Sequence, residues 1–339
     1  MKIAIDAMGG DNAPDHVVEG AVLAAQNIED ELILVGKQDL ITQKLCMLKN
    51  VPANISVHNA EQVIGMDESP AVSVRSKKKS SLNIAVKMVK DKKADAVFSA
   101  GNTGAVVCAA SLFLKNLPGV YRPGISVFLP TLKGMVQMID VGANIDAKPE
   151  HLLQYGLMGS VYSEFVLHKK NPKIGLLNVG EEATKGTGFV KETFKLLEEN
   201  QHINFIGNVE GRDIYEGSCD VIICDAFLGN VVLKVSEGLA EAIKEMFKRK
   251  LIEANVLAKL GALLIAPAFK KLKKEIDYSE YGGASLLGTN GVCLVAHGGS
   301  SQNAIKNAIY MVRESLLNKV NQHIIEIIGN SCERFDQGK

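Results

Sequence analysis

The sequence predicts an α/β protein, a three-layer α/β/α arrangement with a largely parallel sheet between two layers of helices. Three observations predict it. Short apolar runs alternate with segments whose apolar residues recur at helical spacing, the pattern of strands joined by crossover helices. Several of those runs end in Gly, Asn, Ser or Asp, near Asp6, Asn102, Asn144, Gly180, Asn208 and Asn230. The chain has 339 residues, of which 47% are hydrophobic, enough for a large core. The division expected is one α/β domain over residues 1–329, with an amphipathic helical insertion at 248–274 and a polar tail at 330–339.

The elements follow in order. Lys2 to Ala7 reads as a buried strand, and Met8-Gly9-Gly10-Asp11 as its turn. Pro14 suits the start of a helix whose apolar face is Val17, Val18, Ala21, Val22 and Ala25. Strands follow at Glu31–Val35 and Ile55–His58, with a helix over Leu40–Leu48 between them. Arg75 to Ser81 is a basic, hydroxyl-rich run before a helix over Leu82–Asp91. Such a run is ordinarily a solvated face; its functional alternative is a platform for phosphate or an acidic partner. Ala96 to Ser99 is a strand that breaks into Ala100-Gly101-Asn102-Thr103-Gly104 and then a helix. Gly124–Pro130 and Met135–Val141 read as two strands joined at Lys133-Gly134. A long helix spans Lys148–Phe165, and strands recur at Ile174, Asn204 and Val221. A helix carries Val231 to Phe247, and a closing helix runs from Gln302 to Ile328.

The bulk chemistry narrows the partners. Lys+Arg and Asp+Glu both number 38, so no global charge favours nucleic acid. Aromatics are 5% and Trp is absent, which disfavours a base- or sugar-stacking platform. Six scattered cysteines without a CxxC pair, and no signal-like start, predict a reducing cytoplasm. The sequence has no GxxxxGK[ST], no GxGxxG after the first strand, no GxSxG and no HxxxxD. No His/Cys/Asp group has metal-ligand spacing.

What remains is a set of small-residue loops beyond the carboxyl ends of strands, where open α/β sheets bind ligands. Backbone N–H groups at a helix start attract anions, phosphate above all. That predicts phosphate binding and, by itself, no reaction.

Ile5-Asp6-Ala7-Met8-Gly9-Gly10-Asp11, Ser99-Ala100-Gly101-Asn102-Thr103-Gly104-Ala105 and Asp140-Val141-Gly142-Ala143-Asn144 closely resemble the bacterial phosphate acyltransferase family called PlsX. Leu177-Asn178-Val179-Gly180, Phe205 to Glu210, Gly229-Asn230-Val231, Tyr281 to Leu286 and Ala296-His297-Gly298 match it as well, in order, from residue 3 to about 313. The resemblance implies a fold like isopropylmalate dehydrogenase and phosphotransacetylase, usually in a homodimer. It also implies transfer of a fatty acyl group from acyl-acyl carrier protein to inorganic phosphate, giving acyl phosphate for phospholipid synthesis. The acyl phosphate would pass to an acyl phosphate:glycerol-3-phosphate acyltransferase. Family members associate with the inner face of the cell membrane.

Phosphate can attack a thioester directly, so the expected site needs no Ser or Cys nucleophile and no cofactor. Asn102, Thr103, Gly104 and Asn144 are the expected phosphate contacts. Lys185 is the expected charge stabiliser, with Asn230 and His297 lining the pocket. Arg75 and Lys78 are expected to meet the acidic carrier protein. In the insertion, Leu257, Leu260 and Leu264 are expected to contact membrane between flanking lysines. Two alternatives stay open: a phosphotransacetylase-like enzyme using coenzyme A, and a non-catalytic scaffold that recruits lipid enzymes.

Overall fold

The computed structural model describes residues 1–255, 257, 261–262, 264–268 and 282–337. Eleven strands form one sheet in the order β3-β2-β1-β4-β11-β10-β5-β6-β9-β7-β8. The strands are β1 (Lys2–Asp6), β2 (Glu31–Gly36), β3 (Ile55–Asn59), β4 (Ala96–Ser99), β5 (Gly124–Thr131) and β6 (Gly134–Ile139). They continue with β7 (Lys173–Leu177), β8 (Asn204–Val209), β9 (Val221–Ile223), β10 (Ala284–Leu287) and β11 (Val292–Val295).

The sheet is two parallel halves of opposite sense. β3, β2, β1, β4 and β11 run together, and β6, β9, β7 and β8 run together. Between them β10 is antiparallel to both β11 and β5, and β5 is antiparallel to β6. The sequence predicts the β5–β6 hairpin but not β10 or β11. Their place is fixed by pairing with β5 and β4, which are distant in sequence.

Three hydrophobic clusters fill the layers. On one face, Leu82 and Val86 of α4 (Ser81–Lys90) and Val106 and Ala109 of α5 (Thr103–Phe113) are buried in one cluster. Leu228 and Val232, from the first turns of α8 (Ala226–Glu253), pack against that same cluster. The other face divides in two. Val17 and Ala21 of α1 (Asp15–Ala25) pack with Ile305 and Ile309 of α9 (Gln302–Leu317). Leu152, Tyr155 and Tyr162 of α6 (Pro149–Phe165) pack with Leu197 of α7 (Gly188–Glu198) and with Ile324 and Ile328 of α10 (Val320–Gln337). Smaller helices α2 (Gln38–Met47) and α3 (Pro70–Ser76) complete the first half.

Three sequence expectations change. The closing helix is two helices, because Lys319 takes a left-handed φ of 48° after the C-cap Asn318. The part of the polar tail from 330 to Gln337 is helical, a continuation of α10. The helix expected from Val231 starts at Ala226 and runs to Glu253, so the first residues of the 248–274 insertion continue α8. Of the expected membrane contacts, Leu257 and Leu264 are 78% and 84% exposed. Leu260 and Lys270, Lys271, Lys273 and Lys274 lie outside the described residues. Among the described residues, no helix is long and apolar enough to cross a membrane.

Candidate active site

Loops beyond β1, β4 and β11 are stitched into one group. Asp6, buried at the end of β1, accepts from Ser99 Oγ at 2.8 Å and from Met8 N at 3.3 Å. Burial pushes its carboxyl up, against the lowering by the Ser81 and Ser99 hydroxyls. Ser99 Oγ in turn accepts from Gly101 N at 3.0 Å, which turns the chain out of the strand. A Cβ at Gly9 would lie 2.7 Å from Gly101 N, so only glycine lets the first loop approach the second this closely. Asp11 N donates to Gly298 O at 2.9 Å and joins the third loop.

Asn102 is the hub of this group, and its role is to position. Its Oδ1 accepts from Ala105 N at 3.0 Å and caps α5. Its Nδ2 donates to Met66 O at 2.7 Å and Glu68 O at 3.2 Å. Both ends of the amide are therefore engaged inside the protein. The groups left for an anion are the N–H groups of Thr103 and Gly104, which stand in the first turn of α5 without helical acceptors. Glu68 holds the clipped loop from its other side. It pairs with Lys77 and accepts from Ser73 Oγ at 2.7 Å and Gly65 N at 3.1 Å, and these partners hold its carboxyl down at about 2.

His297 is exposed beside this group. Its Nδ1 accepts from Gly299 N at 3.1 Å, so the neutral ring carries its proton on Nε2, a donor directed away from that bond. In the basic run, Lys77 is paired with Glu68 and Lys79 with Glu61. Arg75 and Lys78 are exposed, and among the described residues neither forms an ion pair with a carboxylate.

The second group lies beyond β6, β7 and β9. Here Asp140, fully buried, gathers its own loop. Oδ1 accepts from Ile125 N, Gly142 N and Ala143 N at 2.9, 3.1 and 2.9 Å, and Oδ2 from Asn144 N at 2.9 Å. Burial raises its carboxyl, opposed by these donors. Asn144 Nδ2 donates to Asp140 Oδ2, Pro123 O and Tyr155 Oη. The loop thus turns its N–H groups and the Asn144 amide inward.

The first turn of α8 docks on this loop, since a Cβ at Gly229 would lie 2.0 Å from Asp140 O. Asp225 caps α8 by accepting from Leu228 N at 3.0 Å. Asn230, next in the chain, is exposed. Lys185 sits on the loop after β7. Asn178 Nδ2 donates to Lys185 O at 3.3 Å and Asn208 Nδ2 to Glu182 O at 3.1 Å, fixing that loop's backbone. The Lys185 side chain is exposed and, among the described residues, forms no ion pair.

The structure therefore groups Asn102, Thr103, Gly104 and His297 in the first half, and Asn144, Lys185 and Asn230 in the second. The residues that sequence reasoning did not single out are the carboxylates that set these loops, Asp6, Glu68 and Asp140. Two of them carry a readable signal: an Asp at or just after a strand end, ahead of a small-residue loop, whose side chain can accept the loop's own N–H groups.

The fold is similar to that of solved phosphotransacetylases. A phosphotransacetylase from Streptococcus pyogenes superposes with a TM-score of 0.64 at 18% identity, covering 96% of this chain and 94% of that one. The EutD phosphotransacetylase from Staphylococcus aureus gives 0.60 at 16% identity, covering 95% and 94%. Residues 1–323 match the family described as "Fatty acid synthesis protein". The chain is 49% identical to the phosphate acyltransferase of Desulfitobacterium hafniense over 336 residues, 99% of this chain and 98% of that protein. It is 46% identical to the phosphate acyltransferase of Syntrophotalea carbinolica over 327 residues, 96% and 94% of the two chains. The chain belongs to the phosphate acyltransferase family.

Proposed function

We propose that the protein transfers a fatty acyl group from acyl-acyl carrier protein to inorganic phosphate, giving acyl phosphate for phospholipid synthesis. The observation that carries this reading is the start of α5, where Asn102 caps Ala105 and leaves the Thr103 and Gly104 N–H groups open to an anion. Phosphate held there attacks the thioester carbonyl. The new C–O bond forms, the C–S bond breaks, and the carrier thiolate leaves and takes up a proton. Lys185 offsets the charge on phosphate and on the tetrahedral oxyanion. His297 Nε2–H donates to the same oxygens, and Asn230 lines the pocket.

Two features support convergence of the two loop groups. α5 and the first turns of α8 cover the same face of the sheet, in one hydrophobic cluster. β4 and β6 are four strand steps apart. At roughly 20–25° of twist per step, their opposed directions are turned well away from antiparallel.

Arg75 and Lys78, the unpaired members of the basic run, would dock the acidic carrier protein. Phe227, Val231, Val235, Leu239 and Ile243 are exposed at four-residue steps along α8, a stripe that suits a second copy of the chain in a homodimer. Leu257 and Leu264 beyond it suit peripheral contact with the inner face of the membrane. The acyl phosphate would then be consumed by an acyl phosphate:glycerol-3-phosphate acyltransferase.

The test incubates purified protein with radiolabelled phosphate and either acyl-acyl carrier protein or acyl-coenzyme A. Acyl phosphate formed from the carrier-linked substrate, trapped as its hydroxamate, is the expected result. Turnover of the coenzyme A ester alone would instead make this a coenzyme-A-dependent enzyme, and no product from either would reduce it to a scaffold.

A further inference from the structure

On the face of the sheet opposite α5, a cavity of about 240 Å³ lies where the two hydrophobic clusters of that face meet. Phe128 of β5, Met135 of β6, Leu167 after α6, and Tyr310 and Met311 of α9 line it. Asn307 and Glu314 complete the lining. The cavity is a half-open groove whose lining, apart from the buried Phe128, is partly exposed, and its mostly apolar wall suits an apolar guest.

The groove and the His297 loop are neighbours along the chain and in the packing. A Cβ at Gly282 would lie 2.7 Å from Met311 Cγ, and one at Gly283 would lie 2.5 Å from Val295 O and 3.1 Å from Ala296 Cα. The Gly282–Gly283 turn therefore touches the cavity wall on one side and the residues just before His297 on the other. α9 begins at Gln302, directly after the His297 loop. At 1.5 Å per residue, Asn307 lies about 8 Å along the helix and Glu314 about 18 Å. A guest entering from the His297 side meets the cavity only if it is long.

We infer that this cavity takes the distal part of the substrate's aliphatic acyl chain, and so sets a preference for long chains. The inference rests on the acyl-transfer reading above. The chemistry of the lining favours a neutral tail over a fatty acid headgroup. Among the described residues of the lining, Glu314 alone is charged; it faces Arg313 Nη1 at 3.6 Å and accepts from Asn318 Nδ2 at 3.3 Å. A free carboxylate is repelled there, whereas the tail of a thioester carries no charge.

Two measurements test this. Leu167→Trp and Met135→Trp each fill the cavity from a different element. For each folded variant, the ratio of kcat/KM for C16 over C6 acyl-carrier substrates should fall at least ten-fold from that of the parent. The second measurement is independent of turnover. The chain has no tryptophan, so Tyr310→Trp places a sole reporter in the cavity wall. Its fluorescence should be quenched saturably by 11-bromoundecanol and not by 3-bromopropanol at the same concentration. An unchanged chain-length ratio in both filling variants, or the absence of saturable quenching, overturns the assignment. Failure of the parent to form acyl phosphate from any chain length overturns the acyl-transfer reading itself, and quenching alone then decides whether the cavity holds an alkyl chain.

Discussion

The loop after β4 and the loop after β6 look alike in sequence and do opposite things. Both follow a buried apolar strand, and both are built of Gly, Ala and Asn. After β4, the carboxylate that anchors the loop is Asp6, on the neighbouring strand, and it reaches the loop only through Ser99 Oγ. The loop's later N–H groups are left at the start of α5. After β6, the anchor is Asp140, the residue directly following the strand, and it takes the N–H groups of Gly142, Ala143 and Asn144 for itself. One loop leaves donors free at the start of α5. The other has already wrapped them around an anion of its own. A small-residue loop is therefore an anion site only when no carboxylate lies within reach of its N–H groups.

The largest effect separates the two anchors. Asp140→Ala leaves four backbone N–H groups without their acceptor in a buried place. It should cost about 3–5 kcal/mol of stability, read from urea denaturation. Ser99→Ala removes one relay to Asp6 and should cost about 1 kcal/mol. Equal losses in the two variants would erase the distinction between a loop folded on its own carboxylate and a loop held from a neighbour.

Next is the charge that neither loop supplies. Lys185→Ala should lower kcat/KM for acyl phosphate formation about 100-fold, through loss of stabilisation of the phosphate and oxyanion. Its side chain is exposed, so Tm should stay where it is. Full turnover in this variant would remove Lys185 from the site.

Much of the architecture is legible before any coordinates. The largely parallel strand–helix alternation, the β5–β6 hairpin and the helix over 149–165 follow from sequence pattern; the division of the sheet into two halves of opposite sense does not, since the antiparallel pairing of β10 and β5 sets it. β10 and β11 are not legible, since their place in the middle of the sheet is fixed by pairing with β5 and β4, partners distant in sequence. The site is legible as a set of positions more than as a set of roles. Asn102 and Asn144 are found by motif, yet which way an amide points depends on the carbonyls of Met66, Glu68 and Pro123, and sequence spacing does not reveal those. Asp140 is visible in the same motif, but its inward role depends on Ile125 N arriving from the adjacent strand.

A smaller effect tests Asn102 as a positioning residue. Asn102→Asp keeps an oxygen to cap α5 but loses the two donations to Met66 O and Glu68 O. Asn102→Ala loses both, with about 1 kcal/mol from the cap. KM for phosphate should rise several-fold in both variants, while only the alanine variant shows the helix-cap loss in denaturation. An Asp variant with the parent's KM would mean that the clip on loop 66–68 does not matter to the site.

The smallest effect concerns the other hold on that loop, and its sign follows from Glu68. Its partners, the Lys77 ammonium foremost, lower the carboxyl from 4.5 to about 2. A group whose folded value is depressed adds stability above its unfolded value and loses it as pH falls through the folded one. The Tm gap between the parent and Glu68→Gln should therefore be constant above about pH 5.5 and close progressively between 4.5 and about 2. Among the described residues, the loop after β6 is held by no such ion pair. The same titration on Asp140→Asn should show a different course, because burial moves that carboxyl upward rather than downward. A gap for Glu68→Gln that stays open down to pH 2 would show that the Lys77 pair does not fasten the loop.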